Sequence, residues 1–211
     1  RQDQADKVIL GRSEIEAQNA KLMREDESMH DLRKLPSRLN RQQVKDWIEG
    51  LGDAPSSPLH DVDGKPVSAD AMQAILANRQ LDAIPAVQAT RYGLVVQRAD
   101  LRSLPTRLRV FRSDDDTDID RFQESGVFPG TPVVIAHASA DGRWWFVVSP
   151  SYAAWIEARS VAIGTAEQVF GYVDKSPYRI VTGASVRTVF TREAPALSEL
   201  QLDMGVRVPL W

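Results

Sequence analysis

The spacing of apolar positions along the chain changes near Tyr92. Before it, apolar residues recur at helical intervals; after it, they alternate or form short runs of strand length. Ser13-Glu14-Ile15-Glu16 has the form of a capping box in which Glu16 reaches back to the Ser13 amide, and Ile15, Leu22 and Met23 then share one helical face. A second helix is predicted from Asn40, with Gln43 three residues on. Val44, Trp47, Ile48 and Leu51 follow at i, i+3, i+4 and i+7, and Gly50 and Gly52 stop it. A third starts at Ser68 and presents Met72, Ile75 and Leu76. The stretches between these helices are long and polar, so the segment is expected to wrap a partner domain instead of forming a bundle.

From Tyr92 to Gly164, strands are predicted around 92–98, 108–112, 132–137, 143–149, 153–157 and 160–163, separated by Gly, Pro and Asp clusters. Short strands joined by tight turns predict a small barrel, which hides its edges by closing. The same pattern is expected to resume at Gln168–Val173, Arg179–Val181 and Ala184–Thr191, and to end on the apolar run Val206–Trp211. Trp144 and Trp145 are neighbours on one predicted strand and so face opposite ways. The Trp144, Phe146, Val148 face stays apolar longer and is expected to fill the barrel. Trp145 is then expected to face outward, under another domain in preference to a ligand.

Composition narrows the function classes. A net charge of −3 without a basic stripe argues against nucleic acid as a main partner. The chain has no Cys, which excludes disulfides, thiolate nucleophiles and cysteine metal sites within it. No apolar run approaches the roughly 20 residues that span a bilayer. The chain opens on Arg1 without an apolar signal core, which suggests a trimmed or mature chain.

A search for chemistry finds no nucleophile elbow, phosphate loop, dinucleotide fingerprint or helical zinc-protease motif. His30, His60 and His137 are scattered and read as structural. Asp114, Asp116 and Asp118 have the first three spacings of a calcium loop. Ile119 stands where Gly is needed, however, and Ser125 where a bidentate Glu belongs, so no metal or other cofactor is expected. The run reads instead as a solvated loop that forms an anionic wall able to attract an amino group. Asp100 to Thr106 reads as a turn fixed by Pro105, with Asp100 pairing with Arg102 or a nearby amide, or as an ordered loop beside a partner's active site.

Three stretches together resemble one family. They are Ala99-Asp100-Leu101-Arg102-Ser103-Leu104-Pro105-Thr106, Asp120-Arg121-Phe122-Gln123-Glu124-Ser125, and Asp141-Gly142-Arg143-Trp144-Trp145-Phe146-Val147-Val148-Ser149 continuing to Tyr152 and Trp155. They look like the first bacterial SH3-like module of NlpC-type cell-wall hydrolases, secreted cysteine peptidases that cut the γ-D-glutamyl to diamino-acid bond of peptidoglycan stem peptides. The resemblance is strongest over 92–164. It extends more weakly to Leu10–Leu39, similar to a clip segment, and to 165–211 through Met204-Gly205 and Val208-Pro209-Leu210. It implies an α+β chain: an irregular helical clip-like segment at 1–90, a first SH3-like barrel at 91–164 and the start of a second at 165–211, incomplete.

The resemblance also implies that the first barrel lines the substrate cleft of a C-terminal papain-like catalytic domain and favours stem peptides with a free N-terminal L-Ala. Tyr152, Asp118 and Asp120 are its candidates for substrate contact; Trp145, Arg102 and Asp100 are candidates for the domain interface. A periplasmic or extracellular, envelope-associated location is implied as well. The departures are the missing Cys and Ala154 where the family shows Gly before Trp155. The expectation is therefore a non-catalytic targeting and substrate-gating region. The alternative is a free-standing wall-binding or protein-binding scaffold.

Overall fold

The computed structural model describes residues 7–52, 57–113 and 117–210. Its N-terminal part carries three helices, α1 (Arg12–Glu25), α2 (Arg41–Glu49) and α3 (Ala69–Asn78). The first begins two residues earlier than predicted: Glu14 Oε2 accepts from the Gly11 amide at 2.6 Å, and Glu16 pairs with Arg12 instead of capping Ser13. The caps of α2 and α3 are those the sequence predicts. Asn40 Oδ1 accepts from the Gln43 amide at 2.8 Å, and Ser68 Oγ from the Ala71 amide at 3.2 Å. Strand β1 (Arg38–Asn40) pairs antiparallel with β2 (Val87–Ala89), so the excursion through α2 and α3 returns to where it began.

Seven strands follow in a single antiparallel sheet: β3 (Arg91–Val95), β4 (Ala99–Arg102), β5 (Gln123–Val127), β6 (Pro132–Ala138), β7 (Trp144–Val148), β8 (Ala153–Glu157) and β9 (Val161–Gly164). Their order is β5-β4-β8-β7-β6-β3-β9. The fold class is α+β, and the sheet stays open, because β5 and β9 end it without pairing to each other. Gly93 marks its tightest point. A Cβ there would meet Val161 Cγ1 at 2.5 Å and Ile135 Cδ1 at 3.3 Å. The strand predicted at 108–112 reduces to one bridge, Phe111 with His60, and the polar stretch read as a turn contains β4 instead.

The two faces of β7 correct the expectation for the tryptophan doublet. Trp144, Phe146 and Val148 lie in one buried cluster with Leu32, Leu39, Val44, Ile48 and Ile84 of the N-terminal part, and with Trp155 of β8. Val147 lies in the other cluster, built from sheet residues alone, among them Val95, Leu101, Val133, Ile135 and Ile156; Trp145 packs against it. The large aromatic rings of Trp144, Phe146 and Trp155 gather on the face that the N-terminal part covers. One face is covered by another part of the chain, as expected, but it is the Trp144 face. A third cluster, Leu59, Leu104, Val110 and Phe122, takes the apolar side of α3 through Met72, Ile75 and Leu76. The N-terminal part thus wraps the sheet.

Residues 166–174 form helix α4 (Ala166–Asp174), where a strand is expected over Gln168–Val173. Thr165 Oγ1 accepts from the Gln168 amide at 3.2 Å, and Gln168 Oε1 accepts from the Thr165 amide at 2.9 Å, a reciprocal cap that nucleates the helix. Arg33 holds α4 to the N-terminal part, donating to Asp174 at 2.7 Å with its guanidinium 4.3 Å from the Phe170 ring. Beyond it, β10 (Tyr178–Ile180) pairs with β13 (Arg207–Pro209), and β11 (Ser185–Arg187) pairs with β12 (Gln201–Asp203).

Candidate functional site

Asp120 and Arg102 organise the sheet's outer surface beside β4 and β5. Arg102 is 4% exposed. Its Nη1 donates to Asp120 Oδ2 at 2.9 Å and to Gln123 Oε1 at 3.3 Å, and its Nη2 to the Leu108 carbonyl at 2.6 Å. Asp120 Oδ1 also accepts from the amides of Val110 and Phe122. A buried, multiply bonded pair of this kind fixes the 103–122 connection against the sheet, and losing one partner leaves a costly lone charge. Asp100 does not pair with Arg102; it accepts from Gln123 Nε2 at 3.4 Å.

Above this pair lies a cleft of about 660 Å³ whose lining includes Asp100, Arg102, Arg109, Asp118, Asp120 and Gln123. A second lobe of about 1070 Å³ opens beside it, with Ala74, Ile75 and Ala77 of α3 on one side and Asp141 and Arg143 on another. Asn78, at the end of α3, frames this lobe. It donates through Nδ2 to the Pro105 carbonyl at 3.1 Å, and its Oδ1 accepts from the Asp141 amide at 3.1 Å. Arg107, Trp144, Glu157 and Arg159 line both lobes and form the waist between them. The Arg107 guanidinium first, and that of Arg159 after it, hold the Glu157 carboxyl below its ordinary value against its partial burial.

The structure therefore brings Asp100, Arg102, Asp118 and Asp120 to one cleft and places Tyr152 elsewhere. Leu101 and Arg102 of β4 pair with Ser125 and Gln123, so Glu124 is the extra residue of a β-bulge. Its Oε2 accepts from the Tyr152 hydroxyl at 2.7 Å. That bond, then burial and the Glu124 charge, push the tyrosine up to about 12. Trp145 is half-buried, with the Arg91 guanidinium 5.7 Å from its ring. Of the calcium-like run, Asp114 and Asp116 lie outside the described residues, and among those described no group of three His, Asp or Glu is placed to hold a metal ion. No helix among them is long and apolar enough to cross a membrane.

Arg107, Glu157 and Arg159 were missed by motif search. Glu157 and Arg159 are close in sequence and pair locally, but Arg107 arrives from a connection that is placed by long-range contacts, the Arg102–Asp120 pair, the Asn78–Pro105 bond and the Leu104 and Val110 cluster. His137 Nε2 lies 2.9 Å from the Arg79 carbonyl and 3.2 Å from that of Gln80, which clamps the end of α3 to β6. Desolvation lowers its pKa against those two hydrogen bonds.

Residues 109–157 match the family model of an SH3 domain of the SH3b1 type. Among curated proteins none matches this sequence. Among solved structures, an NlpC/P60 endopeptidase from Photobacterium damselae subsp. piscicida matches with a TM-score of 0.73 at 17% identity, over 97% of this chain and 48% of that one. At this identity the likeness is one of fold, and the chain spans about half the length of that endopeptidase. The chain carries an SH3b1-type domain within an architecture shared with an SH3-like portion of an NlpC-type hydrolase.

Proposed function

We propose that this chain is the non-catalytic, cell-envelope-associated region of a bacterial cysteine peptidase, and that it gates access of peptidoglycan stem peptides. The observation that carries this reading is an overlap. The stretch matching the SH3b1 family, 109–157, also supplies Arg109, Asp118, Asp120, Gln123, Trp144 and Glu157 to the cleft. The fold shared with an NlpC/P60 endopeptidase supports the pairing with a peptidase. These 211 residues contain no Cys, so in this reading they position substrate while a papain-like domain elsewhere in the protein cleaves it.

Within the cleft, Asp118 is the carboxylate assigned to the free amine of an N-terminal L-Ala. Asp120, held by Arg102 and two backbone amides, positions the loop that carries Asp118. Tyr152, Trp145 and Asp100 are assigned to the border with the catalytic domain.

The test is a titration with the tripeptide L-Ala-γ-D-Glu-diaminopimelate and its N-acetylated form, followed by NMR shifts. The free-amine form is expected to bind about tenfold more tightly, a difference of about 1.4 kcal/mol. Asp118→Asn should remove the difference. Equal affinity for the two forms, or no binding of either, overturns the assignment.

A further inference from the structure

The waist between the two lobes has a charge arrangement that the gating reading does not use. Glu157 is bracketed by two arginines from different parts of the chain. Arg107 Nε donates to its Oε1 and Arg159 Nε donates to its Oε2, the second at 2.7 Å. Each guanidinium meets the carboxylate through Nε. Neither has a protein acceptor at its terminal nitrogens among the described residues, and each arginine side chain is 69% exposed. The outward fork of two N–H groups is the edge that engages a carboxylate or phosphate bidentately.

One carboxylate thus orients two guanidiniums and leaves the waist with a net positive charge. An isolated ion pair of this exposure contributes little to stability, so folding does not explain the arrangement. Its location adds to the case, because the waist joins two cavities and is backed by Trp144, itself almost fully buried. The Nε–H of buried Arg102, which lines the first lobe, is also without an acceptor.

We infer that Arg107 and Arg159 form an anion site that takes a carboxylate of an extended acidic peptide, with Glu157 as the residue that positions both forks. A peptide fits better than a polyol phosphate because the lining of the second lobe also includes the apolar Ala74, Ile75, Ala77 and Pro105. The inference does not depend on the free-amine assignment at Asp118, and its test blocks every amine.

The probe is an N-acetylated γ-linked glutamyl tripeptide, compared with its fully amidated form and with inorganic phosphate, by calorimetry on the intact chain at low salt. The acid form should bind, and the amidated form should bind at least about tenfold more weakly. Phosphate should compete for the waist without matching the peptide's affinity; phosphate binding as tightly as the peptide would overturn the peptide assignment. Arg107→Gln combined with Arg159→Gln should lower affinity by about tenfold or more. Both positions are exposed, so the unfolding midpoint should stay put, which separates this loss from misfolding. Glu157→Gln keeps an acceptor oxygen for one Nε only, so it frees one fork while removing the competing charge, and affinity should change by less than in the double arginine variant. Equal affinity for acid and amide, or weakening by Glu157→Gln to the level of the arginine variants, overturns the site.

Discussion

Strands β6, β7 and β8 bury most of their side chains, whereas no residue of β10, β11, β12 or β13 is buried. Both regions contain Val, Ile and aromatic residues in short antiparallel strands, so residue type alone does not account for the contrast. The sheet packs a buried cluster on each face, one built from its own residues and the other shared with the N-terminal part. The two C-terminal ladders have no second layer among the described residues. Val169 and Val206 are the buried apolar residues from 165 to 210, while Val189 and Phe190 stand open to solvent. A strand's apolar face becomes a core only when another element covers it.

The contrast can be broken most sharply at Trp155, which is fully buried where the sheet meets the N-terminal part. Trp155→Ala should cost about 3–5 kcal/mol in urea unfolding. A cost near that of a surface substitution would mean that the two layers are not one core. Arg102→Met comes next, because it removes the buried partner of the Asp120 carboxylate, which keeps two backbone amides and Arg109 at 4.0 Å, so the loss should be about 3 kcal/mol. Replacing both partners with apolar residues should recover most of that loss. Failure to recover it would show that the Asp120 bonds to Val110 and Phe122 matter more than the charge pair.

A smaller effect concerns the clamp between α3 and β6. Burial lowers the pKa of both His137 and His30 below the ordinary 6.5, so the unfolded chain binds more protons than the folded one at mildly acid pH. The stabilising contribution is present above that value and is lost as pH falls through the folded pKa. The urea midpoint should therefore drop between about pH 7 and about pH 5. The double variant His137→Gln and His30→Gln should flatten this slope; an unchanged slope would assign it to other groups. The smallest effect belongs to the other side of the comparison. Phe190→Ala should shift stability by no more than about 0.5 kcal/mol. A larger loss would reveal a cover over the C-terminal ladders in solution.

Strands β10, β11 and β13 of those ladders fall in the stretches predicted for them, around Arg179–Val181, Ala184–Thr191 and Val206–Trp211. Helices α2 and α3 were legible because cap and apolar spacing agree, Asn40 with Val44 and Ile48, and Ser68 with Met72 and Ile75. Helix α4 stands where a strand is expected over Gln168–Val173, although Thr165 and Gln168 carry a capping box. Strand β5 left no pattern, since only Val127 of its five residues is buried. Asp100, Arg102, Asp118 and Asp120, which the family resemblance singled out, line one cleft. Tyr152 was grouped with Asp118 and Asp120, but its hydroxyl donates to Glu124, the extra residue of a bulge that leaves no trace in composition, and it does not line that cleft.

The seam between the sheet and the N-terminal part has an optical consequence. Trp47, Trp144 and Trp155 all lie along it, and Trp155 stacks edge-on to His137 at 6.1 Å and to Phe146 at 5.5 Å. Indole emission moves to longer wavelength when water reaches the ring, so opening of this seam should register as a red shift without any added label. Trp145, on the opposite face, supplies an internal reference whose surroundings need not change. The protein thus carries its own fluorescent gauge of whether its two layers are docked.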